Sequence, residues 1–358
     1  MLRTTHRPTV LALVVAAGLL AACGGDDSGS SPASVEVPSV NSGEPCADVS
    51  GSLTVYSGRS EKLVADLYTL FTETTSVGID ARYGDSGELA GQILTEGTAT
   101  PADVFFSQDA GALGAVSQAG LFDAVLPETL SRVTTEFSSS SGDWIGASGR
   151  VRVIVFDPEV VATPPTSVDE LLDPTWKGRI GFAPTNASWQ SFVTALRILR
   201  GDDGAREWLE AFAANDPVPY EKNAAVRDAV NEGEVSLGLV NHYYVFEKIA
   251  AEGADAVVIE NQYLPGDVGG LVNVAGAGVL GGSDNAAAAQ CFLSFLVSDV
   301  GQEYFVTKSF EYPLVSGIPQ AEGQPAFAEL DPPAIDLSDL SSIAETQELL
   351  ADVGLLTL

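Results

Sequence analysis

Histidine and cysteine are scarce in this chain of 358 residues, with two of the former and three of the latter. Paired CxxC knuckles and an HExxH helix cannot be drawn from so few ligands, which removes CxxC-type zinc folds and metalloprotease chemistry. Basic residues are few as well: 17 Lys and Arg stand against 49 Asp and Glu, a formal charge of −32. A phosphate backbone is gripped by clustered Lys and Arg, so nucleic acid is not the expected partner. Neither a Gly-x-Ser-x-Gly elbow nor a GxxxxGK phosphate loop occurs. What is present is 45% apolar residues and a length above one ordinary domain, enough for a sizeable core divided between two lobes.

The N-terminus reads as an address. Arg3 and Arg7 precede the apolar run Thr9–Leu20 and the small residues Ala21 and Ala22, the order of a secretory signal over residues 1–22. The run falls short of the ~20 residues of a spanning helix. Leu20-Ala21-Ala22-Cys23 resembles a bacterial lipobox, in which Cys23 is lipidated and becomes the mature N-terminus. Residues 23–48 then read as a lipidated Cys and a Gly/Ser/Pro/Asp-rich flexible tether. Acyl chains on Cys23 would hold the exported chain to the outer face of the cytoplasmic membrane without a spanning helix. Cys46 and Cys291 remain, and in an oxidising compartment they are expected to pair, pinning the tether to the helical segment near Asn285–Val297.

From Leu53 onward short β-type runs alternate with helical patterns. Strands are expected at Leu53–Tyr56, Ile79–Tyr83, Val104–Ser107, Val151–Phe156, Arg179–Ala183, Ser236–Asn241 and Leu271–Leu280. Helices are expected at Glu61–Thr74, Gly87–Glu96, Ser188–Arg200, Gly204–Ala214, Val245–Glu252, Gln290–Val297 and about Ser341–Val353, the last after a Pro-rich loop. This alternation predicts an α/β fold with largely parallel sheets. Ligands of such sheets sit beyond the carboxyl ends of strands, at loops and helix N-termini.

One tetrapeptide at such a place carries chemistry. Asn241-His242-Tyr243-Tyr244 follows the apolar strand directly. Phenolate is a hard oxygen donor suited to a hard, highly charged cation, and a bound cation can displace the phenol proton. A core tyrosine beside a snorkelling one would produce the same pair. His242, whose neighbours point to the cleft, is expected to face away from it.

Several segments together resemble the ferric-ion-binding proteins of bacterial ABC importers, two-lobed periplasmic binding proteins of type II. The landmarks run in order from Val55-Tyr-Ser-Gly-Arg59 through Glu88-Leu-Ala-Gly-Gln92, Pro101-Ala-Asp-Val-Phe105, Asp143-Trp-Ile and Ser148-Gly-Arg-Val-Arg152. They continue with Trp176-Lys-Gly-Arg-Ile-Gly181, Asn241-His-Tyr-Tyr244 and Glu311-Tyr-Pro-Leu314, so the likeness covers about Leu53–Leu314. It implies two α/β lobes joined by hinge strands: residues 49–148 with about 272–318 in one, 149–271 with about 319–358 in the other.

The resemblance also implies a ligand set, and this sequence departs from it. Tyr243 and Tyr244 fall on the iron-binding pair. The family's His position holds Ser60, its Glu position Gln108, and the third Tyr of some members Trp189. Gln108 through a carbonyl oxygen and Tyr56 through a phenolate are the further candidate metal ligands. Carbonate or phosphate is the implied co-ligand, with Arg59, Asn186, Ala187, Ser188, Asn223 and Asn241 as candidate anion contacts. A salt bridge for Arg59, and helix or turn caps for the Asn and Ser residues, are the structural uses of the same side chains. Arg150 and Arg152, near a lobe crossing, read as structural.

The function these residues imply is a non-catalytic, monomeric, lipid-anchored binding protein that captures Fe3+ with an anion between its lobes. It would hand the ion to an ABC permease and its ATPase. A binding protein for a small organic or anionic solute, such as a phosphonate or polyol, is the alternative within the same fold. A hydrolase built on Ser148 or Ser188, or a sensor presenting solute to a receptor, lies further off.

Overall fold

The computed structural model describes residue 46 and residues 48–356; the signal segment, Cys23 and the tether up to residue 45 lie outside it. The elements follow as β1 (Gly51–Ser57), α1 (Glu61–Thr75), β2 (Val77–Tyr83), α2 (Ser86–Glu96), β3 (Val104–Ser107), α3 (Ala110–Gln118) and α4 (Pro127–Leu130). Then come β4 (Ile145–Phe156), β5 (Ile180–Phe182), α5 (Ala187–Ala214), β6 (Val218–Pro219), α6 (Asn223–Asn231), β7 (Leu237–Asn241) and α7 (Tyr243–Glu252). The chain closes with β8 (Glu260–Gln262), β9 (Val272–Val279), α8 (Ala286–Leu296), α9 (Asp299–Tyr304) and α10 (Ile343–Asp352).

The strands run in the order β2-β1-β3-β9-β4-β7-β5-β6, with β8 on β4. Pairing is not largely parallel, as the alternation alone predicts. The outer pairs β1–β2, β1–β3, β5–β6 and β5–β7 are parallel, but β3–β9, β4–β9, β4–β7 and β4–β8 are antiparallel. The reason lies in β4 and β9, which cross between the halves of the molecule instead of completing a βαβ unit. Ile145–Val151 of β4 pair with β9, while Arg152–Phe156 pair with β7. All twelve residues of β4 are buried.

Each half has its own apolar centre. In the first, α1 turns Val64, Leu67, Tyr68 and Phe71 inward, and Phe71 meets Phe292 and Phe295 of α8 at ring separations of 5.1 and 5.2 Å. In the second, Trp189 of α5 packs against Phe182, Phe192 and Phe212. The two helices expected within residues 188–214 are present and meet at Gly201, whose φ of 73° and ψ of 166° suit only glycine.

The Cys46–Cys291 disulfide is formed and ties the start of the described chain to α8. The C-terminal segment touches both halves. Leu337–Ser341 lies on α3, where a Cβ on Gly111 would come within 2.7 Å of the Leu340 carbonyl oxygen. Beyond it, Thr346 of α10 hydrogen-bonds Thr194 of α5 at 2.7 Å.

Candidate functional site

The tyrosine pair owes its position to the end of β7. The buried run Leu237–Asn241 stops, His242 takes helical φ/ψ, and α7 begins at Tyr243, so both tyrosines occupy its first turn. Their rings stack at 4.4 Å and 28°. Both face a cavity of about 180 Å³ between the halves, room for about six waters. The opposite wall comes from the first half: Ser60 at the head of α1, Asp85 and Ser86 at the head of α2, and Gln108 after β3. A Cβ on Gly58 would meet Ser86 Oγ at 2.1 Å, so glycine there lets the β1–α1 loop close onto α2.

Burial pushes both phenols above the ordinary tyrosine value, Tyr244 furthest because Tyr243 lies beside it, while Arg150 pulls both back. Both are therefore neutral phenols at pH 7. Among the described residues, no cluster of three or more His, Cys, Asp or Glu forms a separate cation cage.

The cavity is further lined by Asn186, Ala187, Asn241 and Arg150. Asn186 caps α5, its Oδ1 accepting from Ser188 N at 3.0 Å. Ser188 and Asn223 stand behind it. Ser188 Oγ donates to Asn186 at 2.7 Å and accepts from Asn223 at 3.0 Å and Arg152 at 3.1 Å, so both act as braces. Arg150 is 2% exposed, and its Nε and Nη2 are buried without a hydrogen-bond partner. The Glu311 carboxylate beside it offsets part of its charge, but two of its guanidinium nitrogens remain buried at the cavity wall without a hydrogen bond, which is costly unless a ligand supplies one.

Two candidates are placed elsewhere. Arg59 is not free for an anion: it forms a bidentate pair with Glu311 at 2.9 and 2.7 Å and donates to Gln108 Oε1 at 2.8 Å. Ser148 and Ser309 each donate to Glu311 at 3.0 Å. Burial would raise the Glu311 carboxyl, but Arg59 and Arg150 beside it hold it below the usual carboxylate range. The same contact occupies the Gln108 carbonyl oxygen. Tyr56 is turned away toward α2, where its hydroxyl accepts from Gln92 at 3.1 Å and approaches Glu96 at 3.3 Å. Strand alternation in β1 puts it on the wrong face for the cavity.

Trp189, at the third-tyrosine position, is wholly buried in the second core. Arg152 lies over Trp189 and Phe192, and burial lowers it to about 9, so it serves the framework as its sequence position suggests. His242 is fully buried, and its Nδ1 accepts from Val151 N at 3.3 Å while Nε2 meets the Phe310 carbonyl at 2.9 Å. Those partners fix the Nε2–H tautomer, and burial lowers the ring to about 4.

Sequence reasoning did not place Arg150, Asp85 or Ser86 at the cavity that they line. The signal for Arg150 was available: Arg150 and Arg152 sit two apart in one strand with no acid between them or beside them, and buried cations need partners. A larger groove of about 600 Å³ lies by Pro164, Asp169 and Trp176, but its Asp169 is already paired with Arg200.

Residues 99–333 match the family model described as bacterial extracellular solute-binding protein. The Fe(3+)-binding periplasmic protein of Serratia marcescens is 34% identical over 318 residues, spanning 88% of this chain and 94% of that one. Iron-bound HitA from Pseudomonas aeruginosa superposes with a TM-score of 0.81 at 35% identity, covering 85% of this chain and 99% of its own. The Trichodesmium protein IdiA (FutA), in complex with iron and citrate, superposes at 0.74 with 28% identity over 85% of this chain and all of its own. Sequence, two-lobed fold and cleft agree: the chain belongs to the bacterial extracellular solute-binding proteins, among the ferric-ion-binding periplasmic proteins.

Proposed function

We propose that this protein captures Fe3+ in the cleft between its halves, with Tyr243 and Tyr244 as phenolate ligands and a carbonate-type anion as co-ligand. The observation that carries the reading is the stacked tyrosine pair sharing one small cavity with the buried Arg150, whose Nε and Nη2 have no hydrogen-bond partner. The tyrosines supply hard oxygen donors. Arg150, the first turn of α5 at Ala187, and Asn241 supply donors for the anion. Tyr56 falls out of the ligand set, since its hydroxyl is turned to Gln92 and Glu96, and Gln108 is weakened as a ligand because Arg59 already takes one lone pair of its carbonyl oxygen.

The lobes would be residues 49–148 with about 272–318, and 149–271 with the remainder. The C-terminal stretch 319–358 is best assigned to both, given its contacts with α3 and α5. Closing the lobes would bury the ion; opening them before an ABC permease and its ATPase would release it. No described helix is long and apolar enough to cross a membrane, and a lipid on Cys23 would supply the anchor to the outer face. The role is binding by a monomer, without catalysis.

The test is an Fe3+ titration of the metal-stripped protein with and without bicarbonate, following the visible phenolate-to-iron charge-transfer band. A saturable coloured complex that Tyr243→Phe and Tyr244→Phe both abolish is expected, with Arg150→Gln removing its bicarbonate dependence. A colourless protein with no metal-linked thermal stabilisation overturns the reading. Arg150 would equally suit an organic anion, and such a ligand stabilising the protein without metal would establish that second role.

A further inference from the structure

Gln108 lines the first half's wall of the cavity, and Arg59 donates to its carbonyl oxygen. The cavity nevertheless contains a carboxylate. Asp85 lies at its wall, on the first half, opposite the tyrosine pair on the second. It stands at the N-cap of α2 with extended backbone, φ −68° and ψ 140°, the position where an aspartate ordinarily accepts a helix amide.

Asp85 does not do so. The other aspartates that precede described helical turns, Asp109, Asp173, Asp267 and Asp336, each accept from a backbone amide. The Asp85 carboxylate caps nothing, and no ion pair engages it among the described residues. The neighbouring Ser86 Oγ is occupied, accepting from Gln108 N at 2.9 Å. An exposed carboxylate relieved of its local hydrogen bond, in a cavity whose other wall presents two phenols and an unpaired guanidinium, is available to a ligand.

We propose that Asp85 is the first half's ligand to the captured ion, a carboxylate oxygen that meets the ion when the halves close. The inference rests on the ferric reading of the same cleft. Carboxylate and phenolate are both hard anionic oxygens, and a ligand drawn from each half makes closure and coordination one event. Because the donor comes from a helix start that it does not cap, moving it toward the ion sacrifices no helix hydrogen bond.

Asp85→Asn tests this in the whole protein, since it keeps size and removes the anionic donor. Losing an anionic ligand leaves iron more electron-poor, so the phenolate-to-iron band should move to longer wavelength. Affinity in competition with citrate should fall by at least the about 10- to 100-fold seen for outer-shell partners of metals. Asp85→Glu should keep the band nearer its original place. Urea unfolding of the metal-free Asp85→Asn protein should match the parent, as nothing is capped. A band unmoved in Asp85→Asn overturns ligation, whether or not affinity drops, because a purely electrostatic role leaves the iron's donor set intact. A parent protein that shows no band sinks the ferric reading and this inference with it; a parent band with an unresponsive Asp85→Asn sinks the inference alone.

Discussion

Two arginines, each near a glycine in a strand or strand-to-helix turn, have opposite fates. Arg59 is neutralised by Glu311, 252 positions away, and Arg150 meets no hydrogen-bond partner. Sequence spacing carries no information about which arginine finds a distant carboxylate, so the anion contact was read onto an arginine that is already paired. Asp85 was hidden differently: an aspartate heading a helix looks like a cap, and only the structure shows the cap unmade. The tyrosine pair was legible because both its chemistry and its place at a strand end are local properties. His242 was legible by alternation, and its burial has a consequence for acid stability. Its folded value of about 4 lies below the ordinary ~6.5, so the unfolded chain binds the extra proton between those limits. Stability from this group is full above about pH 6.5 and is lost as pH falls toward 4, about 3 kcal/mol at most. Urea unfolding between pH 7.5 and 5 should show the slope, and His242→Gln should flatten it, since an amide can accept from Val151 N and donate to the Phe310 carbonyl without titrating.

Among the elements, those with a clean period were recovered within a few residues: α1, α2, β3 and β7 are where apolar alternation places them. β4 is the instructive failure. Its first half, Ile145-Gly-Ala-Ser-Gly-Arg150, has the composition of a turn, and only pairing with the equally Gly-bearing β9 makes it a strand. With the first half of β4 missed, its pairing with β9 and so the antiparallel centre of the sheet could not be foreseen. The break in α5 makes a prediction at this scale. A Cβ at Gly201 would meet nothing within 4 Å, so any cost of Gly201→Ala comes from backbone conformation alone. We expect a loss of about 1–3 kcal/mol in urea unfolding, with unchanged ligand binding.

At the level of the whole molecule, the Cys46–Cys291 bridge closes a loop over most of the described chain, with a sequence separation of 245. Chain-entropy reasoning gives such a loop a contribution of about 5.5 kcal/mol. Reduction, or paired Ala substitution at Cys46 and Cys291, should lower the unfolding midpoint accordingly while leaving the cavity intact. A midpoint insensitive to reductant would show that compactness of the unfolded chain already supplies the constraint.

The strand β4 changes partner between Val151 and Arg152, leaving β9 for β7. Points near the pivot of a rotating body travel least. Arg150 sits one residue from that changeover, whereas the tyrosines and Asp85 ride on opposite arms. On the proposed ligand set, opening would separate the cation's donors while barely displacing the anion's berth. The order of departure would then be written into leverage: the metal would leave first, and the anion would remain seated as part of a half-assembled site ready for the next turn.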